Sequence, residues 1–224
     1  VVPATSSQAA IRGSSAGSRP KAARVPEKAD ELAATYSAPL ADLTERMLTY
    51  SDNDLGEALA RQTAIAVGRD ASFEGAGRAV AGQLKKLGLP VRGARFADGS
   101  GISRGNKVSA DLLARLLVTA ADQDRPELRS LLTGLPVAGF NGTLRDRYGD
   151  GGDAEDVGGT SAARGVVRAK TGTLTGVNSL AGTVVDADGR LLAFAFFTMD
   201  ATDRTGAGDA LDRMAAAVAG CGCR

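Results

Sequence analysis

The chain has 224 residues, 43% of them hydrophobic and 24% charged, with 27 basic against 26 acidic side chains and a formal net charge of +1. That much apolar material can bury a core for one large domain, or one domain plus a fragment, and the near-neutral balance argues against nucleic acid or an anionic membrane surface as the main partner. There is no histidine, which excludes Ser-His-Asp and Cys-His arrangements and His-containing zinc sites within the chain and leaves Lys, Asp or Glu as the base of any hydrolytic reaction.

No run of about 18 apolar residues occurs, so no transmembrane helix is expected. Val1 is not followed by a basic-then-apolar leader, so a targeting signal is expected to be removed or to lie upstream. Residues 1 to about 27 are Ala, Ser, Gly, Pro and Arg with few large apolar side chains. Such a segment cannot offset its ordering entropy by burial and reads as flexible. Glu31 to Tyr36 reads as a short strand. Ser37 and Pro39 then open a helix on which Leu40, Leu43, Met47 and Tyr50 recur at helical spacing, ending at Ser51-Asp52-Asn53. A second helix is expected to bury Leu55, Ala58, Leu59, Ile65 and Ala66. A third, with Ser72 as N-cap and Gly88 as its stop, is expected to bury Phe73, Ala76, Val80, Leu84 and Leu87.

After Pro90 a short extended piece, Gly93 to Ala97, leads into Asp98-Gly99-Ser100-Gly101-Ile102-Ser103, which has turn chemistry throughout. Ser100 there reads as a capping hydroxyl rather than a nucleophile. Helices are predicted over Ser109 to Ala121 and Pro126 to Thr133. Phe140 to Leu144 then enters a Gly- and Asp-rich loop through Gly159, whose acidic run Asp150 to Asp156 lacks calcium-loop spacing and reads as solvated. Val166 to Gly172 reads as an edge strand. Ser179 to Val185 and Leu191 to Thr198 form a ribbon turning at Asp188-Gly189. Gly208 to Ala219 is a last helix with Leu211, Met214, Ala215 and Val218 on its buried face. Cys221 and Cys223 read as a structural or free tail pair, with too few neighbouring ligands for a metal. Helices before strands is the ordering of an α+β domain.

Lys170-Thr171-Gly172 sits where a ligand can reach it, because an edge strand has one row of free backbone donors and acceptors, and Gly172 removes the side chain that would block close approach. Three residues alone carry little. Ser51-x-Asn53 upstream of them makes two thirds of the set Ser-x-x-Lys, Ser-x-Asn, Lys-Thr-Gly found in penicillin-binding proteins and β-lactamases. Further stretches agree in order: Tyr36-Ser-Ala-Pro-Leu40, Ser51-Asp-Asn-Asp-Leu-Gly-Glu-Ala-Leu59, Asp98-Gly-Ser-Gly-Ile-Ser-Arg104, Gly142-Thr-Leu144 and Arg168-Ala-Lys-Thr-Gly-Thr-Leu174. From about Val25 to Arg224 the chain resembles the D-alanyl-D-alanine carboxypeptidase/endopeptidase family, the type-4 group of low-molecular-mass penicillin-binding proteins.

The resemblance implies an incomplete transpeptidase-like domain of the penicillin-binding protein and serine β-lactamase type, an antiparallel sheet with flanking helices, over residues 28 to 224. It implies an extracytoplasmic serine enzyme that trims peptidoglycan stem peptides ending in D-Ala-D-Ala through an acyl-enzyme, needs no cofactor or metal, and is inhibited by β-lactams. Ser51, helped by Lys170, would relay a proton to the leaving D-alanine amine. Asn53 would hydrogen-bond the substrate's backbone. Thr171 and Thr173 would hold the terminal carboxylate beside Gly172, and the Thr173 N–H would form half of an oxyanion hole. Without histidine, a desolvated lysine of lowered pKa is the base such chemistry needs.

One part of the pattern is missing. The single literal Ser-x-x-Lys match is Ser18-Arg19-Pro20-Lys21, and Pro20 in a segment without apolar residues does not suit the helix start that would put Ser and Lys on one face. The nucleophile is therefore expected upstream, on an N-terminal half of the same enzyme. A non-catalytic module that binds peptidoglycan peptides is the alternative. Asn141-Gly142-Thr143 is a formal glycosylation sequon without expected meaning. All these readings share one geometric requirement, that the turn near Ser51 meet the β-edge near Lys170.

Overall fold

The computed structural model describes residues 29–30, 32–149 and 159–222. The chain divides into two units, Val1–Leu40 and Ala41–Arg224. Residues 32–39 have no regular structure, so the strand expected over Glu31 to Tyr36 does not form there, residue 31 itself lying outside the described residues. Leu32 and Tyr36 are exposed, and a strand without a partner has nowhere to place its backbone hydrogen bonds. The Ser18 to Lys21 motif and the acidic run over 150–156 also lie outside the described residues.

The helices are α1 (Leu40–Tyr50), α2 (Asn53–Ala66), α3 (Phe73–Lys86), α4 (Ala110–Ala121), the single-turn α5 (Ser130–Thr133) and α6 (Arg204–Ala219). The strands are β1 (Val167–Leu174), β2 (Val177–Val185) and β3 (Leu191–Met199), which form one antiparallel sheet in the order β1-β2-β3. This is an α+β domain whose three-stranded antiparallel sheet is flanked by helices. Short polar caps start the helices where expected: Ser72 Oγ accepts from the Gly75 N–H at 3.0 Å and Ser109 Oγ from the Leu112 N–H at 3.1 Å. The β2–β3 turn closes through an Asp186 N–H to Arg190 carbonyl bond of 2.9 Å, with Gly189 at φ +79°.

Val167 and Ala169 of β1, Leu180 and Val184 of β2, and Phe194 of β3 pack with Leu211, Ala215 and Ala219 of α6 into the main core. Burying such a Leu, Val or Phe contributes about 1.5–3 kcal/mol each. Thr183, on the opposite face of β2, is buried as well, so the central strand is covered on both sides, and α4 packs against β3 and β2. The face of α6 differs from expectation. Met214 is 47% exposed and Asp212 is buried in its place, held by Arg147 through bonds of 2.6 and 2.8 Å. A charge is tolerated inside when its partner satisfies it.

The faces of α2 and α3 also differ. Ile65 and Phe73 are exposed and Ala76 is buried as expected, while Gly56, Ala60 and Ala64 of α2 and Gly75, Gly77 and Ala79 of α3 are buried instead of the larger residues. The cause is close backbone approach. A Cβ on Gly77 would collide with the Phe96 carbonyl, and one on Gly99 would lie 2.5 Å from the Gly56 carbonyl. Smallness, not bulk, decides which side turns inward.

Candidate active site

Ser51 ends α1 in the left-handed conformation, at φ +55°. The Asp52 N–H reaches back to the Met47 carbonyl at 3.1 Å, a helix-ending motif whose left-handed position is ordinarily glycine. A serine there costs about 1–2 kcal/mol, and strain held at a hydroxyl directs attention to that hydroxyl. Asp52 then caps α2, its Oδ1 accepting the Leu55 N–H at 3.0 Å. The joint is held from outside: Thr49 Oγ1 donates to the Gly134 carbonyl at 2.9 Å, Thr133 hydrogen-bonds Glu45, and Gly142 lies so close to the Thr49 carbonyl that a Cβ would collide with it.

Lys170, 119 positions away in sequence, donates from Nζ to Ser51 Oγ at 2.9 Å and to the Thr171 carbonyl at 2.6 Å. Burial lowers its pKa to about 8, and among the described residues no carboxylate pairs with it. A lysine that can lose its proton near neutral pH, touching a hydroxyl, is an acid-base pair.

The strand beneath is open where the lysine lies. Pro136 to Ala138 pairs with the start of β1: the Ala169 N–H donates to the Pro136 carbonyl at 2.9 Å and the Ala138 N–H to the Val167 carbonyl at 3.0 Å. Odd-numbered backbone groups of β1 therefore face its outer edge, and the antiparallel alternation carries this on to Thr171 and Thr173. Past Ala169 that edge has no backbone partner among the described residues. An N–H pointing outward from Thr173 is a free donor for a ligand oxygen.

The expected residues thus fall into place unevenly. Ser51 and Lys170 touch. Thr171 lies on the same edge, its hydroxyl 2.8 Å from that of Thr143. Thr173 is exposed at the open end, and Asn53, on the first turn of α2, is exposed with no side-chain hydrogen bond among the described residues. Gly172 faces β2, where a Cβ would meet Ser179 Oγ, a side-chain tip that can turn aside.

Sequence reasoning missed the supports of the Asp98 to Asn106 loop. Glu57 Oε1 accepts from the Gly99 and Ser100 N–H groups at 3.1 Å each and from Ser100 Oγ at 2.8 Å; Ser100 is a tether. Burial pushes the Asp98 carboxyl up, but hydrogen bonds from Asn106, Ser103 and Gly101 outweigh it and hold the group below its ordinary range. From this pinned loop Arg104 donates to the Thr175 carbonyl at 2.8 Å, closing the far end of β1. A lone Glu on a helix reads as solvated; only its spacing to a Gly-Ser turn could have pointed to this use. Thr143 stood in the Gly142-Thr-Leu144 signature without a role. Among the described residues no group of three or more His, Cys, Asp or Glu side chains is placed to hold a metal.

A family model, D-Ala-D-Ala carboxypeptidase 3 (S13), matches residues 10–218. "Carboxypeptidase DacB" of Mycolicibacterium smegmatis is 44% identical over 194 residues, 86% of this chain and 40% of that protein. "D-alanyl-D-alanine carboxypeptidase DacB" of Haemophilus influenzae is 35% identical over 174 residues, 77% of this chain and 34% of that one. Penicillin binding protein 4 of Haemophilus influenzae superposes with a TM-score of 0.68 at 34% identity, over 80% of this chain and 38% of its own. The TLA-1 β-lactamase shares the fold, with a TM-score of 0.52 at 17% identity over 80% of this chain and 61% of its own. The chain spans about 40% of the length of the first of these relatives.

Proposed function

We propose that this chain, which belongs to the D-Ala-D-Ala carboxypeptidase 3 (S13) family, carries the Ser-x-Asn and Lys-Thr-Gly side of a serine-type D-alanyl-D-alanine carboxypeptidase/endopeptidase active site. The observation that carries this reading is the 2.9 Å bond from Lys170 Nζ to Ser51 Oγ. The substrate is a peptidoglycan stem peptide ending in D-Ala-D-Ala, which places the enzyme outside the cytoplasm. The nucleophilic serine belongs to an upstream part of the same enzyme.

In the acylation step the nucleophile's hydroxyl gives its proton to neutral Lys170 as its oxygen bonds the penultimate D-alanine carbonyl carbon, and the tetrahedral intermediate places its negative oxygen on the Thr173 N–H. The C–N bond then breaks. Ser51 passes a proton to the departing amine and regains one through Lys170, whose burial makes the transfer cheap near neutral pH. Asn53 holds the substrate backbone, Thr171 and Thr173 hold the terminal carboxylate, and Gly172, without a side chain, lets the ligand come close to the strand. A β-lactam enters the same path, as suggested by the Haemophilus influenzae relative solved in complex with one. Hydrolysis of the acyl-enzyme releases the shortened peptide.

The test is fluorescent penicillin on the complete protein. One serine upstream of Val1 is expected to be labelled. Ser51→Gly, which keeps the left-handed turn, is expected to slow labelling by about 10²-fold or more, the usual worth of a positioned proton carrier. Stem-peptide binding without labelling or D-alanine release would favour the non-catalytic module instead. Labelling at Ser18 would place the nucleophile on this chain.

A further inference from the structure

We propose that Thr143 is a positioning residue for carboxylate recognition: when an anion reaches the open edge of β1, the Thr171-to-Thr143 hydrogen bond reverses, so that Thr143 donates to Thr171 and the Thr171 proton is freed for the anion. This rests on the function proposed above only for the identity of the anion, a peptide carboxylate. Thr171 Oγ1 donates to Thr143 Oγ1 at 2.8 Å, so a single proton lies between them, and rotation of the two hydroxyls reverses the direction. A threonine hydroxyl has one proton and two lone pairs. If Thr171 spends its proton on Thr143, it turns lone pairs toward the groove and repels a carboxylate. If Thr143 spends its own, Thr171 becomes a donor toward the groove, and the two hydroxyls in series polarise each other.

Thr143 is held for this. It sits in the 3₁₀ turn Gly142–Leu144, between a fully buried Leu144 and a Gly142 pressed on the Thr49 carbonyl two residues before Ser51. Asn141 Oδ1 accepts the Val137 N–H at 2.7 Å, and the Gly139 N–H donates to the Leu144 carbonyl at 2.9 Å. The turn is thereby tied to the same Pro136 to Ala138 segment that pairs with β1, and the Thr143 hydroxyl cannot follow Thr171 if that residue rotates away.

The experiment measures binding of an N-acyl-D-alanyl-D-alanine peptide and of its C-terminal carboxamide to the complete protein by calorimetry, alongside KM and kcat for D-alanine release. For Thr143→Val, affinity for the free carboxylate is expected to fall about tenfold, the loss of one hydrogen bond to a charged group, with KM rising in step and kcat unchanged within about twofold. Carboxamide affinity stays unchanged, and Thr143→Ser restores carboxylate affinity. Equal losses for carboxylate and carboxamide, no loss at all, or a Thr143→Ser variant as weak as Thr143→Val would overturn the assignment. Carboxylate-selective binding with no turnover in the unsubstituted protein would remove the hydrolytic reading while leaving the role of Thr143 measured.

Discussion

Lys170 is the residue on which the site's electrostatics turn. Its ammonium is desolvated, with a hydroxyl and a carbonyl as its hydrogen-bond partners, so the neutral form is favoured and the pKa falls to about 8. In the unfolded chain the same group titrates near 10.4. Between those two values the unfolded state binds more protons than the native one, and stability must rise with pH across that window. Below the folded pKa the cost of burying the charge is present in full. Urea unfolding of the protein and of Lys170→Met from pH 7 to pH 10 isolates the effect: the difference between them is expected to shift in favour of the lysine protein as pH climbs past 8. Parallel curves would mean that the ammonium is well solvated. Ser51 and Lys170 were legible because each sits in a short contiguous motif. Thr143 and Glu57 were not, since a threonine and a glutamate acquire their meaning only from partners 28 and 43 positions away, and no local spacing records such a distance.

At the scale of elements, periodicity located nearly every helix and strand but misjudged which faces of α2 and α3 turn inward. Apolar periodicity registers bulk, and these two helices bury small residues because Ala60, Ala64, Ala76 and Ala79 pack them on each other and the backbone of the loop from Phe96 to Ser100 lies on Gly56 and Gly77. That loop in turn carries Arg104 to the end of β1, so the small-residue faces belong to the architecture of the site. Gly77→Ala should cost about 1–3 kcal/mol, since its Cβ would strike the Phe96 carbonyl and the loop would have to move. Gly82→Ala, in the same helix with open space around it, should instead stabilise by up to about 1 kcal/mol through helix propensity alone. Denaturant melts of the two variants separate the explanations: equal effects would reduce both positions to propensity. The final helix tells a similar story, because Asp212 turns inward only on account of Arg147, and no one-dimensional pattern announces a buried ion pair.

For the molecule as a whole, the sheet is the feature with an edge open to pairing among the described residues. Its order is β1-β2-β3, so β3 is an edge among the described residues, with Leu191, Phe197 and Met199 exposed along it. Long apolar edges invite pairing. The register places Ala181 opposite both Lys170 and Ala195. Even-numbered groups of β1 bond to odd-numbered groups of β2, so even-numbered groups of β2 bond to β3, and the Ala195 N–H is left pointing outward. If the upstream part of the enzyme completes both the sheet and the active site, a strand from it adds at this edge. Co-expression of that part with the present chain is then expected to reconstitute penicillin labelling. Ala195→Pro, which removes one outward donor while sparing the internal ladder, is expected to abolish association in a pull-down without loss of this chain's own β-sheet signal by circular dichroism. Ala195→Val should leave association intact. Reconstitution undisturbed by the proline would move the junction to another surface, and the nucleophile would then have to reach the Ser51–Lys170 pair by a route that does not cross β3.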